Sequence, residues 1–180
     1  MQRLKSVIAI AAITLGTAAP AHATNFRPLV RFDGAIGTDP LTASGAADVL
    51  NVVRGVNPAG RAWVVRKFSA TIRKDGAISA RGNGLLLASG DVIGTRAGVA
   101  QVVATLFCGP ANGTATPFTS APGAMDTAGN FHISGTLSQD GINPAVLPAT
   151  CDNPALLIRT VGANGAPGTW LAAGIVEIDD

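Results

Sequence analysis

The sequence predicts an all-β protein: a single-domain antiparallel β-sandwich or closed β-barrel of about eight or nine short strands with one disulfide. Short segments alternate apolar and polar residues, which is typical of half-buried strands. Turn-forming residues separate these segments about every 8–12 positions, as they do in sandwiches and barrels. The run Val99–Cys108 is uncharged and rich in β-branched residues, which predicts a strand buried on one face and largely covered on the other.

The first residues have the pattern of a secretory signal peptide. Arg3 and Lys5 form a basic start, Val7–Leu15 is apolar, and Ala21-His22-Ala23 is a small-x-small ending. We therefore expect a signal peptide over residues 1–23 and one mature domain over residues 24–180. No later run approaches the ~20 apolar residues of a membrane-spanning helix, so we expect a periplasmic or secreted chain that does not span a membrane.

The charge balance argues against a nucleic-acid partner. The chain has 13 Lys and Arg against 11 Asp and Glu, and loss of Arg3 and Lys5 with the signal peptide leaves 11 of each. A neutral mature chain lacks the basic footprint of a nucleic-acid binder.

The first predicted strand is Asn25–Asp33, whose apolar residues fall on one face. Pro28 has no backbone N–H to donate, so we expect this strand at the edge of a sheet. Residues 34–47 are small or polar and predict a long surface loop. Asp48–Val56 is expected to be a strand, with a short helix starting at Ala46 as the competing interpretation.

A β-hairpin is predicted over Lys67–Gly82, because apolar and polar residues alternate on both sides of Lys74-Asp75-Gly76. A three-residue loop places Ile72 opposite Ile78 on the apolar face, whereas a two-residue loop would mix the two faces. We therefore expect a type I turn followed by Gly76 in the left-handed conformation.

The remaining strands are predicted from short apolar or alternating runs that turns separate. They are Arg61–Val65, Gly84–Gly90, Val99–Cys108, Thr116–Thr119, Asn130–Ser138, Ala155–Thr160 and Thr169–Ile178.

Two cysteines, Cys108 and Cys151, are expected to form a disulfide in an exported chain. Free thiols or half of a metal site are the alternatives. His132 is the only histidine left after removal of the signal peptide, so a zinc site would lack ligands. We expect no metal and no cofactor.

No set of catalytic residues stands out in the sequence. Strand parity places His132 on the outward face, and the chain has no Gly-x-Ser-x-Gly nucleophile elbow. A hydrolase acting on envelope glycans would need two facing carboxyl groups, but most aspartates lie in turns and no pair is singled out. An enzyme is therefore the weaker interpretation, and no catalytic residue is predicted.

A cluster of cations lies in and before the hairpin. Its members are Arg61, Arg66, Lys67, Arg73, Lys74 and Arg81. Parity places Lys67, Arg73 and Arg81 on the exposed face, and we expect Arg73 and Arg81 to lie close in space. Lys67, Arg73, Lys74 and Arg81 form a candidate anion-binding face for an anionic glycan or another envelope component. The alternative is that these charges keep an exposed strand from aggregating.

Three segments, Arg54–Trp63, Gly84–Ala88 and Trp170–Gly174, resemble a family of small exported bacterial all-β proteins of uncharacterised function. The resemblance spans most of the mature chain and rests on turns and core strands. It implies a secreted all-β domain, and it implies no activity, cofactor or catalytic residue.

The leading functional hypothesis is an exported, non-enzymatic β-domain with a binding or structural role at the cell envelope. A carrier that holds a small apolar ligand in an interior cavity is the first alternative, motivated by the apolar runs Leu85–Ala88 and Val102–Leu106. A hydrolase of envelope glycans is the second.

Overall fold

A computed structural model describes residues 27–41, 49–111 and 114–178. The predicted signal peptide and the alternative helix start at Ala46 lie outside these residues. The described residues form strands, turns and loops, which confirms the predicted all-β class. None of them belongs to a helix that could span a membrane.

Eleven strands lie within the described ranges. They are β1 (Pro28–Gly37), β2 (Trp63–Val64), β3 (Lys67–Arg73), β4 (Ala77–Asn83), β5 (Leu86–Leu87), β6 (Gln101–Cys108), β7 (Thr116–Thr119), β8 (Gly123–Ala124), β9 (Phe131–Thr136), β10 (Ala155–Val161) and β11 (Pro167–Val176).

Eight of these strands follow one path in a single antiparallel sheet, in the order β7-β6-β10-β11-β1-β3-β4-β9, and β8 also pairs with β6. β2 and β5 form a separate two-stranded sheet. The large sheet curls into a half-barrel. Two isolated bridges, Thr119–Ser138 and Met125–Phe131, link residues of β7 and β9 to residues outside the named strands.

The inner face of the curled sheet carries the main hydrophobic core. Side chains from most of its strands meet there, and the following are at most 1% exposed: Phe32, Ile72, Leu106, Ile133 and Leu156. Burying a side chain of this size contributes about 1.5–3 kcal/mol relative to leaving it in water. The enclosed core is therefore the main source of stability for the curled sheet.

A second, smaller core lies on the outer face of β6, β10 and β11. Phe107, Leu157 and Trp170 from these strands pack with Val56. The segment of residues 49–60 thus covers this part of the sheet. β6 is consequently buried on both faces, as the sequence predicts.

The hairpin of β3 and β4 has the predicted register. Ile72 pairs with Ile78, and Ala70 pairs with Ala80. The Gly76 N–H donates to the carbonyl of Arg73 at 3.0 Å, and Gly76 has a φ of +83°. The three-residue loop with a left-handed glycine is confirmed, because only this loop brings the apolar positions onto one face.

β1 differs from the prediction in length and position. It continues to Gly37 instead of ending at Asp33, with a register shift between Phe32 and Ala35. It also lies between β11 and β3, so the edge position expected from Pro28 is wrong. Proline is tolerated at the first residue of a strand, and Pro28 is the first residue of β1, where it pairs with Arg73 of β3.

The predicted strand Asp48–Val56 is wrong for the residues that the structure describes, and they form no helix either. Val53 and Val56 exchange two backbone hydrogen bonds, of 3.1 and 2.9 Å, around a tight turn. Arg54 and Gly55 occupy this turn with φ values of +54° and +75°. Positive φ values at both central residues are typical of the tight turn in a β-hairpin with a two-residue loop.

β2 and β5 are shorter than the predicted strands Arg61–Val65 and Gly84–Gly90, with two residues each. Gly84 and Gly90 have φ values of +67° and +87°. A residue in this left-handed region leaves the extended conformation, so β5 is confined to residues between these two glycines.

The predicted disulfide between Cys108 and Cys151 is present, with 4.8 Å between the Cα atoms. It joins the end of β6 to the loop before β10. Arg54 holds the same two segments, because its guanidinium donates to three carbonyl oxygens, those of Gly109 (2.9 Å), Pro110 and Asn153. The covering segment and the disulfide therefore meet at one point.

Candidate functional site: a cationic groove on the outer face

The outer face of β1, β3, β4 and β9 is polar and open to solvent. Backbone pairing aligns four exposed side chains in one row across these strands: Asp33, Ser69, Arg81 and His132. Neighbouring strands lie about 4.8 Å apart, so the row spans roughly 15 Å. This face contrasts with the outer face of β6, β10 and β11, which residues 49–60 cover.

A groove of about 460 Å³ lies at one end of this polar face. Its polar lining consists of Asp33, Arg66, Lys67, Ser69, Arg81 and Asn83. Lys67 pairs with Asn83, and Ser69 pairs with Arg81. Lys67 and Arg81 are therefore diagonal neighbours, with about 7–8 Å between their Cα atoms.

Arg66 joins the groove because the pairing of the two strands continues past β3. Its backbone N–H donates to the carbonyl of Asn83 at 3.0 Å. Gly84, which follows Asn83, leaves room for the Arg66 side chain, since a Cβ added there would lie 3.3 Å from the Arg66 Cβ. Three cationic side chains thus converge on one groove.

The charges in this groove are not neutralised by one another or by their neighbours. Within the described part of the chain, Arg66, Lys67 and Arg81 make no side-chain hydrogen bond and no ion pair. Three cations and one carboxylate, that of Asp33, leave the groove positive at neutral pH. Like charges this close repel one another, and a bound polyanion would relieve the repulsion. Guanidinium groups also match planar anionic groups such as carboxylate and sulfate.

The structure separates the four residues of the predicted anion-binding face into two pairs. Lys67 and Arg81 line the groove, whereas Arg73 and Lys74 lie at the turn of the hairpin. Arg73 also forms an ion pair with Asp75 at 2.8 Å.

The expected proximity of Arg73 and Arg81 is wrong. Arg81 pairs with Ser69, which is four residues along β3 from Arg73, so the two arginines lie roughly 14 Å apart. Strand parity assigned both side chains correctly to the exposed face. Parity gives the face and not the position along the strand, and the register of the hairpin supplies the position.

Two charged groove residues, Arg66 and Asp33, were not predicted as site residues. Arg66 precedes the predicted hairpin, and its place depends on a backbone contact beyond the end of β3. Asp33 enters the groove because β1 pairs with β3 and places it beside Ser69. That pairing joins segments that are far apart in the chain, and a single sequence carries no local signal for it.

Several exposed carboxylates stabilise turns of the chain. Backbone N–H groups of their own turns hold the pKa of Asp75, Asp126 and Asp140 below the usual range, and neighbouring side chains act in the same direction. A general acid for glycoside cleavage needs a raised pKa instead. These three carboxylates therefore offer no support for a hydrolase.

His132 lies exposed on β9, with Arg81 as its cross-strand neighbour on β4. It belongs to the same polar row as the groove and extends that row by one strand. Among the described residues, no group of three or more His, Cys, Asp or Glu could hold a metal ion.

Comparisons with models of known protein families, with curated proteins and with solved structures gave no match.

Proposed function

We propose that this protein is an exported, non-enzymatic β-domain whose cationic groove binds an acidic glycan of the cell envelope. The observation that carries the proposal is the convergence of Arg66, Lys67 and Arg81, without neutralising partners in the described chain, on an open sheet face. Ser69 and Asn83 line the same groove and offer hydrogen-bonding groups to sugar hydroxyls. A polymer with repeated negative charge would contact the groove and the polar row beside it.

The matched test compares two variants that each lose two cations from the same hairpin. Lys67→Gln/Arg81→Gln removes charge from the groove, and Arg73→Gln/Lys74→Gln removes the same charge from the turn. We expect wild type to be retained on a heparin column at low salt, because screening is weak there. The groove variant should elute at clearly lower salt than the turn variant. Equal loss in both variants, or no retention of wild type, would overturn the proposal.

A neutral polysaccharide separates charge recognition from general sugar binding. We expect no retention of wild type on a dextran column, because dextran offers the groove no anionic group. Retention on dextran that survives Lys67→Gln/Arg81→Gln would assign binding to a different surface.

Export is part of this proposal. The N-terminal pattern fits a secretory signal, and the disulfide between Cys108 and Cys151 is compatible with an oxidising compartment. We expect the protein recovered from a periplasmic extract or from the medium to begin at Thr24. An intact mass that still includes residues 1–23 would contradict this.

The packing of the core favours this surface site over an interior cavity. The runs that motivated a carrier contain Leu85, Leu87, Val102 and Leu106, which are at most 2% exposed and pack within the main core. Their apolar character is explained by that packing.

We also propose that the curled sheet closes into a barrel, with β7 and β8 acting as one interrupted strand beside β9. Support comes from Thr119 and Ser138, which exchange two backbone hydrogen bonds of 2.7 and 2.8 Å. Hydrogen exchange at these two amides tests the closure. Protection similar to that of the β3–β4 amides is expected, and rapid exchange at both would indicate an open seam.

A further inference from the structure

His132 lies next to one of the cations of the groove. It pairs with Arg81 across β9 and β4, and both side chains are exposed on the outer face of the sheet. Residues directly opposite each other on paired strands have about 4.5–5.5 Å between their Cβ atoms. The imidazole of His132 and the guanidinium of Arg81 can therefore contact the same anionic group, or two neighbouring ones, on a single ligand.

A second contact joins the groove to the start of β9. Asn83, which lines the groove, donates from its Nδ2 to the Asn130 Oδ1 at 3.2 Å, and the Gly84 N–H donates to the same oxygen at 3.3 Å. Asn130 lies two positions before His132, and residues two apart on an extended chain point to the same face. The polar surface of the groove thus continues without interruption to His132.

The charged groups around His132 are few. Arg81 faces it from β4, whereas β6 and β8, which also pack against β9, contain no charged residue. In the turn before β9, the Asp126 carboxylate accepts hydrogen bonds from the backbone N–H and the Nδ2 of Asn130, at 2.9 and 3.0 Å. Asp33 lies further along the polar row, two strands beyond Arg81. A proton on His132 therefore adds its charge directly to that of Arg81.

We propose that His132 is a fourth cationic residue of the glycan site and that it strengthens binding of the acidic glycan in mildly acidic surroundings. This inference rests on the proposed function and names a condition that regulates it. Histidine ordinarily changes its charge between about pH 5 and 8, whereas Asp, Glu, Lys and Arg keep theirs. His132 is the one histidine in residues 24–180. Its protonation and the binding of a polyanion should therefore favour each other.

Elution from a heparin column at pH 7.5 and at pH 5.5 tests this role, because the sulfate groups of heparin stay ionised at both. We expect wild type to elute at higher salt at pH 5.5, with an affinity about threefold to tenfold higher, since one more cation faces the polyanion. His132→Gln should elute at the same salt at both pH values, close to wild type at pH 7.5. His132→Lys carries a permanent charge and should elute at both pH values close to wild type at pH 5.5.

A matched control moves the histidine along the same strand. His132→Gln/Thr136→His keeps one imidazole on the exposed face of β9 but places it four residues, or roughly 13 Å, away from Arg81. Its elution should depend on pH less than that of wild type.

The outcomes separate this inference from the proposed function. Groove-dependent retention of wild type that is equal at both pH values would overturn the role of His132 and leave the groove as the binding site. A pH dependence that persists in His132→Gln would also overturn it, because another group would then be responsible. No retention of wild type at either pH would overturn both proposals.

Discussion

Removal of the disulfide is expected to cost a predictable amount of stability. Cys108 and Cys151 are separated by 43 positions in the chain, and the bond closes this loop in the unfolded state. The chain-entropy relation gives a loss of about 13 cal/mol/K for a loop of this length, or about 4 kcal/mol at 25 °C. The variant Cys108→Ala/Cys151→Ala should therefore be about 4 kcal/mol less stable than wild type.

The same variant should still fold, because the surrounding pairing does not depend on the bond. Leu106 pairs with Leu156 and Phe107 with Ala155 directly beside it. The Gly109 N–H also donates to the carbonyl of Asp152 at 2.7 Å. The loss should thus arise mainly from the larger freedom of the unfolded chain.

Urea unfolding followed by tryptophan fluorescence and circular dichroism measures this difference. For a domain of this size, a loss of 4 kcal/mol corresponds to a melting temperature lower by roughly 8–16 °C. Wild type unfolded in the presence of a reductant is the control and should match the double variant. A loss below about 1 kcal/mol in both would refute the entropic reasoning.

Three further predictions use single substitutions. In urea unfolding, Gly37→Ala should lower the stability of the protein by about 1–3 kcal/mol or more, because the added Cβ would lie 2.0 Å from the Trp63 carbonyl oxygen. Gly60→Ala, where the added Cβ would meet open space, is the control and should change the stability by no more than about 0.5 kcal/mol. Equal effects of the two variants would contradict the close approach of Gly37 to Trp63. Arg54→Lys should cost about 1 kcal/mol in the same assay by losing the guanidinium contacts to three carbonyls. This cost should not add to that of disulfide removal, because both act on the same two segments, and strict additivity would argue that they are independent. Asp140 has a lowered pKa, so its stabilising effect is complete above the ordinary Asp pKa of about 3.9 and is lost progressively as the pH falls from there toward the lower folded value. Melting temperatures at pH 6 and at pH 2.5 should therefore differ less for Asp140→Asn than for wild type, and an equal difference would contradict this role.

Local sequence patterns predicted the strands and turns whose geometry depends only on neighbouring residues. The hairpin of β3 and β4 is the clearest case, because the alternation around Gly76 admits only one register that keeps Ile72 and Ile78 on one face. The burial of β6 on both faces could also be predicted, since apolar residues in this segment do not alternate with polar ones.

Features that join distant segments were not predictable in this way. The place of β1 between β11 and β3 depends on pairing with both halves of the chain. The role of residues 49–60 as a cover depends on Val56 meeting Phe107 and Leu157. The groove could not be predicted for the same reason, because Asp33 and Arg81 lie on different strands.

The central position of β11 has a consequence for the order in which the sheet assembles. β11 is the last of the described strands, yet it joins β10 on one side to β1 on the other, where Phe32 pairs with Val176. Without β11, the strand order of the large sheet is interrupted between β10 and β1. The strands β7, β6 and β10 then lie on one side of the gap, and β1, β3, β4 and β9 lie on the other. In the export that we propose, β1 and β10 would therefore lack the strand that lies between them until β11 has been translocated. We would then expect the sheet to be completed only after β11 has crossed the membrane.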